Sequence, residues 1–410
     1  MAVTADVVVA GGGVIGMAIA WRAAAAGLDV VVVDPGGADA ASLVAAGMLA
    51  PVSESQFGED ALLALNLAAI ERFATFAAEL EDATGLDVGL RREGTLVVAR
   101  DPGDHDALVR LTAFHRSLGL AAEELDSRAC RRLEPFLAPD VRGGCLFAGD
   151  WSVDNRRYLG ALRQAAATTG ARTVHGQVAE VQVDGGQVRG VRLASSEKID
   201  CGAVVVAAGW ACGAVEGLPA ELGEAVRPVK GQLLRLRHPA GISPVLGRTV
   251  RATVHGREVY LVPRTDGELV VGATSEERGP DRTVTAGAVH DLLHDAMAVL
   301  PVTSELILAE TCVGLRPGTI DNGPIVGPAG PGGPSGLLIA TGHYRNGILL
   351  SALTADGILD GLTGQPPVPH WAPFTPQRFT PQRFTPQRFT PQRFTPQRFT
   401  PQGFTAKVTT

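Results

Sequence analysis

The chain has 410 residues and a mass of 42.5 kDa, enough for two or three domains and too long for a small disulfide-stapled scaffold. Its net charge of -7 averages two unlike regions. Residues 371–410 carry Arg378, Arg383, Arg388, Arg393, Arg398 and Lys407 with no acid, a tail of +6, which leaves 30 basic against 43 acidic residues, or -13, for residues 1–370. An acidic body without a basic stripe argues against a nucleic-acid partner for the folded part. The five cysteines (130, 145, 201, 212 and 312) are odd in number and form no C-x-x-C pair, which excludes a disulfide framework or zinc knuckle and fits a reducing cytoplasm.

The elements follow in chain order. Residues 6–10, DVVVA, read as a buried parallel strand, Val14 to Ala26 as an Ala-rich helix, and residues 29–33, DVVVV, as the next strand, which closes a βαβ unit. Val7 to Ala26 is apolar, but Arg22 and four glycines interrupt it, so it reads as strand, turn and helix rather than a membrane span. A long amphipathic helix near 59–83 places Leu62, Leu65, Ala69, Phe73, Phe76 and Leu80 on one face and stops at Gly85.

From about 90 to 275 the strand signals shorten: GTLVVA (94–99), a hairpin around Asp184-Gly185-Gly186, GQLLRLR (231–237), EVYLVPR (258–264) and GELVVGA (267–273). Hairpins imply antiparallel sheet, so a second domain type is inserted into the α/β frame. Residues 198–209 supply another buried strand meeting glycine, and residues 336–362 a strand, a Gly turn and an apolar helix. The dinucleotide-type domain is thus expected to be discontinuous. After Gln365 the chain becomes FTPQR repeated without variation from Phe374 to Arg398; a Pro in every unit forbids helix and inner strand, and the tail is expected to be disordered and dispensable for turnover. An Arg and Phe ladder for an anionic or aromatic partner is the alternative reading of it.

Residues 11–16, GGGVIG, place Gly11, Gly13 and Gly16 as G-x-G-x-x-G between a strand and a helix. There the backbone approaches a pyrophosphate and the helix N-terminus faces its charge. Asp34 ends the next strand, where a carboxylate accepts hydrogen bonds from adenosine ribose hydroxyls. Together they read as a dinucleotide site.

The blocks GGGVIG (11–16), AAGMLAP (45–51), VVVAAGW (204–210), YLVPR with VVGAT (260–264 and 270–274), GLRPGTIDNGPIVG (314–327) and GHYRNGILL (342–350) keep one order along the body. In these blocks the chain resembles the D-amino-acid oxidase family of flavoproteins, in particular its bacterial glycine oxidase branch of thiamine-thiazole synthesis. The resemblance implies an α/β fold: a Rossmann-like FAD-binding domain from residues 1–86, 146–222 and 312–365 and an α+β substrate domain with a mainly antiparallel sheet from 87–145 and 223–311; it does not reach the tail, residues 366–410, whose expected disorder rests on the FTPQR repeat alone.

It further implies non-covalent FAD held by Gly11, Gly13, Val14, Ile15, Gly16, Asp34, Pro35, Ala41, Ser42, Ala46, Gly47, Met48, Val178, Gly209 and the run His343, Tyr344, Arg345, Asn346, Gly347, Ile348 and Leu349. Backbone N–H groups of that run would stabilise charge near N1 and O2 of the reduced ring. Arg316 matches the family's carboxylate fork, Tyr260 a tyrosine that closes over the carboxylate, and Arg345 a second substrate-side position.

The implied reaction takes glycine, small amines or D-amino acids to the imine by hydride transfer to flavin N5, with O2 reduced to H2O2. The imine feeds thiazole formation or hydrolyses to glyoxylate and ammonia. No protein acid or base is assigned, and a homo-oligomer is left open. Within the fold the alternative is a D-amino-acid or sarcosine-type dehydrogenase that passes electrons to a quinone or carrier. Outside it stand a nicotinamide-dependent dehydrogenase and a non-catalytic module. Cys312 lies where sarcosine-oxidase relatives link flavin covalently, against its bland reading as a small buried apolar residue. His290 and His294 imitate a zinc motif, but Asp291 is one carbon shorter than the usual Glu and a third ligand is missing, so no metal is expected.

Overall fold

The computed structural model describes residues 3–241, 243–330, 332–366 and 368–379. Two large sheets organise them. The first orders Ile325–Pro328, Leu337–Thr341, Lys198–Val206, Val3–Ala10, Val30–Asp34 and Arg172–His175, with the hairpin Val178–Asp184 and Gln187–Leu193 added beside Lys198–Val206. Its four central pairings are parallel and the flanking ones antiparallel. Val7 to Val9, Val30 to Val33 and Val204 to Val206 are almost fully buried, as continuous β-branched runs covered on both faces must be.

On one face lie the helices Val14–Ala25, Asp60–Thr84, Asn155–Thr168 and Gly347–Thr363, which share a single core with the strands. Asp60–Thr84 is long and apolar enough to cross a membrane by length and composition alone, but its stripe from Leu62 to Leu80 is buried in that core and Gly85 ends it in the left-handed conformation. Two ion pairs tie it to its neighbours, Arg22 to Glu79 and Arg72 to Asp356, and a third, Arg22 to Asp356, joins those two neighbours to each other.

The second sheet orders Ile307–Gly318, Arg227–Arg237, Glu268–Gly272, Arg257–Pro263, Thr249–Val254, Thr95–Ala99, Gly143–Phe147 and Glu123–Asp126. It is antiparallel except where Thr249–Val254 runs parallel to Thr95–Ala99. Helix Ala286–Val299 packs on it, with a separate core around Leu234, Val250, Leu261 and Leu292.

Three expected boundaries differ from this architecture. Those at 145/146 and 311/312 fall inside strands, and pairing keeps Gly143–Phe147 and Ile307–Gly318 whole in the second sheet. The third concerns the tail. Residues 369–379 are not disordered: two short 3-10 turns, Pro369–Phe374 and Pro376–Phe379, pack on the body, and Trp371, Phe374 and Phe379 are buried. Their rings complete the body's apolar cores, which the repetitive sequence concealed. The rest of the expected disordered tail, residues 380–410, lies outside the described residues.

Candidate active site

A cavity of about 620 Å³ runs between the two sheets. At one end the first strand delivers Gly11, whose φ of +115° and approach to Ala207 leave no room for a side chain: a Cβ there would stand 2.4 Å from the Ala207 carbonyl oxygen. Gly16 lets the helix pack on that turn, since its Cβ would meet the Gly11 oxygen at 1.8 Å. Gly13 is the N-cap of Val14–Ala25 and offers no side chain to it; the Ser42 hydroxyl accepts from the Val14 N–H at 3.0 Å. Asp34 stands beside Gly12, 2.8 Å from where a Cβ would be.

A second helix begins on the same cavity. Asn346, N-cap of Gly347–Thr363, makes no side-chain cap, and Gly347 and Ile348 line the wall. Two helix N-termini without side-chain caps on their N-cap residues in one cavity, with a carboxylate beyond the first, match a long ligand with an anionic middle, a second electron-rich end and a ribose. The donor set therefore fits FAD. The amides of Tyr344 and Asn346 are engaged within the fold, donating to Pro317 O at 3.0 Å and His343 O at 2.9 Å. His343 is buried, with Nε2 3.0 Å from the Thr354 hydroxyl, and burial pushes its imidazole down to about 3, which keeps it neutral.

The segment from Ala46 to Glu54 forms a further wall and is fastened by charge. Buried Arg264 donates to Ala46 O and Val153 O, both at 2.7 Å, and to Asn155 Oδ1 at 3.0 Å. Buried Asp150 accepts from the Val52 and Ser53 amides at 3.1 and 3.0 Å.

The second sheet supplies the polar groups opposite. Tyr260 pairs directly across from Gly272, and its hydroxyl lies over that glycine, 2.4 Å from where a Cβ would stand. Arg316 pairs with Val229, and its guanidinium crosses to Gly231, two residues along. Arg316 Nη1 donates to Thr274 O at 3.1 Å. Burial pushes the Tyr260 phenol up, with the neighbouring Arg316 pulling the other way.

Arg345 Nη1 is 3.5 Å from Glu258 and stacks over the Tyr344 ring at 5.2 Å. Arg251, opposite Tyr260 on the adjacent strand, donates to Ser53 O at 2.8 Å and reaches Glu54 at 3.4 Å.

Of the residues expected from the sequence, Gly11, Gly13, Val14, Ile15, Asp34, Pro35, Ala41, Ser42, Ala46, Gly47, Met48, Val178, Gly209, His343, Tyr344, Arg345, Gly347, Ile348, Tyr260 and Arg316 line this one cavity. Gly16, Asn346 and Leu349 stand behind its wall, as a packing glycine, a helix N-cap and a fully buried core residue. Sequence reasoning missed Arg251, Glu54, Glu258, Gly231 and Gly272. The glycines were visible, but only strand pairing shows which side chains they admit. Cys312 is buried behind the lining with Val44, Leu233 and Val262, its thiol 3.2 Å from Glu310 and pushed up to about 11, first by burial. His290 and His294 on the Ala286–Val299 helix bond to Asp291 and Asp295.

Comparison with known proteins agrees with this geometry. Residues 6–360 match the family model described as FAD dependent oxidoreductase. The chain is 37% identical over 383 residues to the bifunctional protein ThiO/ThiG of a Synechocystis species, covering 92% of this chain and 54% of that protein. It therefore spans about half the length of the bifunctional relatives it matches. Glycine oxidase of Geobacillus kaustophilus is 35% identical over 357 residues, covering 85% of this chain and 90% of that one. The crystal structure of glycine oxidase from the same species superposes with a TM-score of 0.83 at 32% identity, covering 92% and 99% of the two chains. The chain thus belongs to the DAO family of FAD-dependent oxidoreductases.

Proposed function

We propose that this chain oxidises glycine and other small amino acids, with FAD held along the cavity from Gly11 and Asp34 to His343 and Ile348. The observation that carries the reading is that the Arg316 guanidinium and the Tyr260 phenol, lying over the side-chain-free positions Gly231 and Gly272, both line the one cavity. An Arg fork takes a carboxylate bidentately, and a phenol beside it donates a further hydrogen bond. When bound there, FAD would supply a two-electron acceptor for the substrate's Cα hydride, with O2 as the final oxidant.

The protein's own part is orientation. Arg316 and Tyr260 fix the carboxylate and so orient the Cα hydrogen for transfer, and the amine reacts in its neutral form. Buried His343 stays neutral, and no acid or base of the chain is required. The imine leaves for thiazole formation by a partner enzyme or hydrolyses to glyoxylate and ammonia. The bifunctional ThiO/ThiG relatives, of which this chain covers about half, favour the first fate. Arg345, held by Glu258, is the second substrate-side cation. Five free, buried cysteines fit a cytoplasmic setting.

The test is oxygen uptake by the purified protein with glycine, sarcosine, D-alanine and D-proline as sole substrates. The reading expects uptake with glycine and equimolar H2O2. Flavin reduction without oxygen uptake would favour a dehydrogenase with another acceptor.

A further inference from the structure

The ordered start of the tail sits in a shaped slot. Phe374 lies against Gly323, where a Cβ would stand 2.7 Å from its ring, and Gln377 crosses Gly330, 2.0 Å from the corresponding position, and donates to Pro328 O at 3.3 Å. Pro376 is buried, and the Phe379 ring enters the core on the other face of the first sheet. Arg378 ties the unit together. It donates to Asp321 through Nε at 2.8 Å and Nη2 at 3.2 Å, to Gly323 O at 2.7 Å and to Phe374 O at 3.0 Å, and its guanidinium lies 4.2 Å over the Phe379 ring. Its side chain is only 12% exposed. Five of the six residues in Phe-Thr-Pro-Gln-Arg-Phe are thus read by a ring contact, a glycine gap, a carbonyl or a carboxylate.

That hexapeptide is not unique. It begins at Phe374 and again, letter for letter, at Phe379, Phe384, Phe389 and Phe394. We infer that the slot formed by residues 321–323 and 327–330 is a recognition site for the Phe-Thr-Pro-Gln-Arg-Phe motif, and that the five copies are interchangeable ligands for it. Every contact made by the first copy is available to each later one, because the side chains are the same. The difference between copies is the loop left between Trp371 and the docked unit, which grows by five residues per step and whose closure entropy rises only with the logarithm of its length. The first copy therefore holds the slot by proximity, and the next takes it when the first is damaged. The ring of Trp371, packed over Gly357, anchors the chain ahead of any copy.

Limited trypsin digestion of the full chain with intact-mass readout tests this, because each copy carries one Arg and only one copy is held at a time. In the unaltered chain the Arg378 bond should resist cleavage and the repeats beyond be trimmed. In Arg378→Ala the trimmed end should move five residues downstream, as the second copy is now the one held. The melting temperature of Arg378→Ala should exceed that of a variant in which Arg378, Arg383, Arg388, Arg393 and Arg398 are all Ala. Cleavage at Arg378 in the unaltered chain, an unmoved end in Arg378→Ala, or equal melting temperatures for the two variants would each overturn the inference.

Discussion

The guanidinium of Arg316 lies across Gly231, so that a methyl group at residue 231 would stand 2.3 Å from Nη1. The two sit on neighbouring strands, Ile307–Gly318 and Arg227–Arg237, one step apart along the diagonal. Gly231→Ala should therefore push the fork away from the carboxylate position without touching the FAD end of the cavity. We expect KM for glycine to rise about tenfold or more, as befits weakening a charge-assisted pair worth roughly 1.5–3 kcal/mol, with flavin content unchanged. Steady-state kinetics with the flavin absorbance as internal control checks this. An unchanged KM would mean that Arg316 does not hold the substrate.

Tyr260→Phe should act more mildly. The ring keeps its seat over Gly272 and only the hydroxyl is removed, so a loss of about 1 kcal/mol, or several-fold in KM, is expected with the melting temperature preserved. A large fall in melting temperature would mark the hydroxyl as structural.

Cys312 is buried behind the cavity lining beside Glu310, and its thiol, pushed up to about 11, stays protonated at neutral pH. Since thiolate is the nucleophile, covalent attachment of flavin there is disfavoured. After acid precipitation the yellow colour should remain in the supernatant; a yellow pellet would contradict this.

His343 gives a pH signature. Its imidazole falls from the ordinary 6.5 to about 3 on burial, so between these values the unfolded chain binds the extra proton. Stability from this group is complete above pH 6.5 and is lost as pH falls toward 3, with a slope of about 1.4 kcal/mol per pH unit. Urea unfolding of the wild type and of His343→Asn from pH 4 to 7 should show a shallower acid slope in the variant. Parallel slopes would assign the acid sensitivity elsewhere.

The tail divides at Phe379. A chain ending there keeps Trp371, Phe374 and Phe379 and should match the full chain in melting temperature and turnover. A chain ending at Pro366 loses all three buried rings and should be destabilised by more than about 3 kcal/mol. Equal melting temperatures for the two would show that the docked unit contributes nothing.

Much of this was legible in residue order. The G-x-G-x-x-G turn with Asp34, and the glycine turn before Gly347–Thr363, announce themselves because local backbone geometry demands those residues. The Asp60–Thr84 helix was readable from its stripe for the same reason. What escaped depends on pairing between distant strands: Arg251 opposite Tyr260, Gly272 beneath the Tyr260 ring and Gly231 beneath Arg316 come from segments that sequence alone does not align. The tail escaped differently. A Pro-rich repeat cannot extend a helix or an inner strand, yet one copy packs as 3-10 turns because Gly323 and Gly330 leave matching gaps.

The central claim is that Arg316 presents the carboxylate of a small amino acid to FAD bound in this cavity. Anaerobic titration of the purified flavoprotein with glycine, in the wild type and in Arg316→Ala, tests it most directly. Glycine should bleach the oxidised flavin band fully in the wild type, and in Arg316→Ala only at a concentration about 10–100-fold higher. Bleaching at the same glycine concentration in both proteins, or none in the wild type, would contradict it.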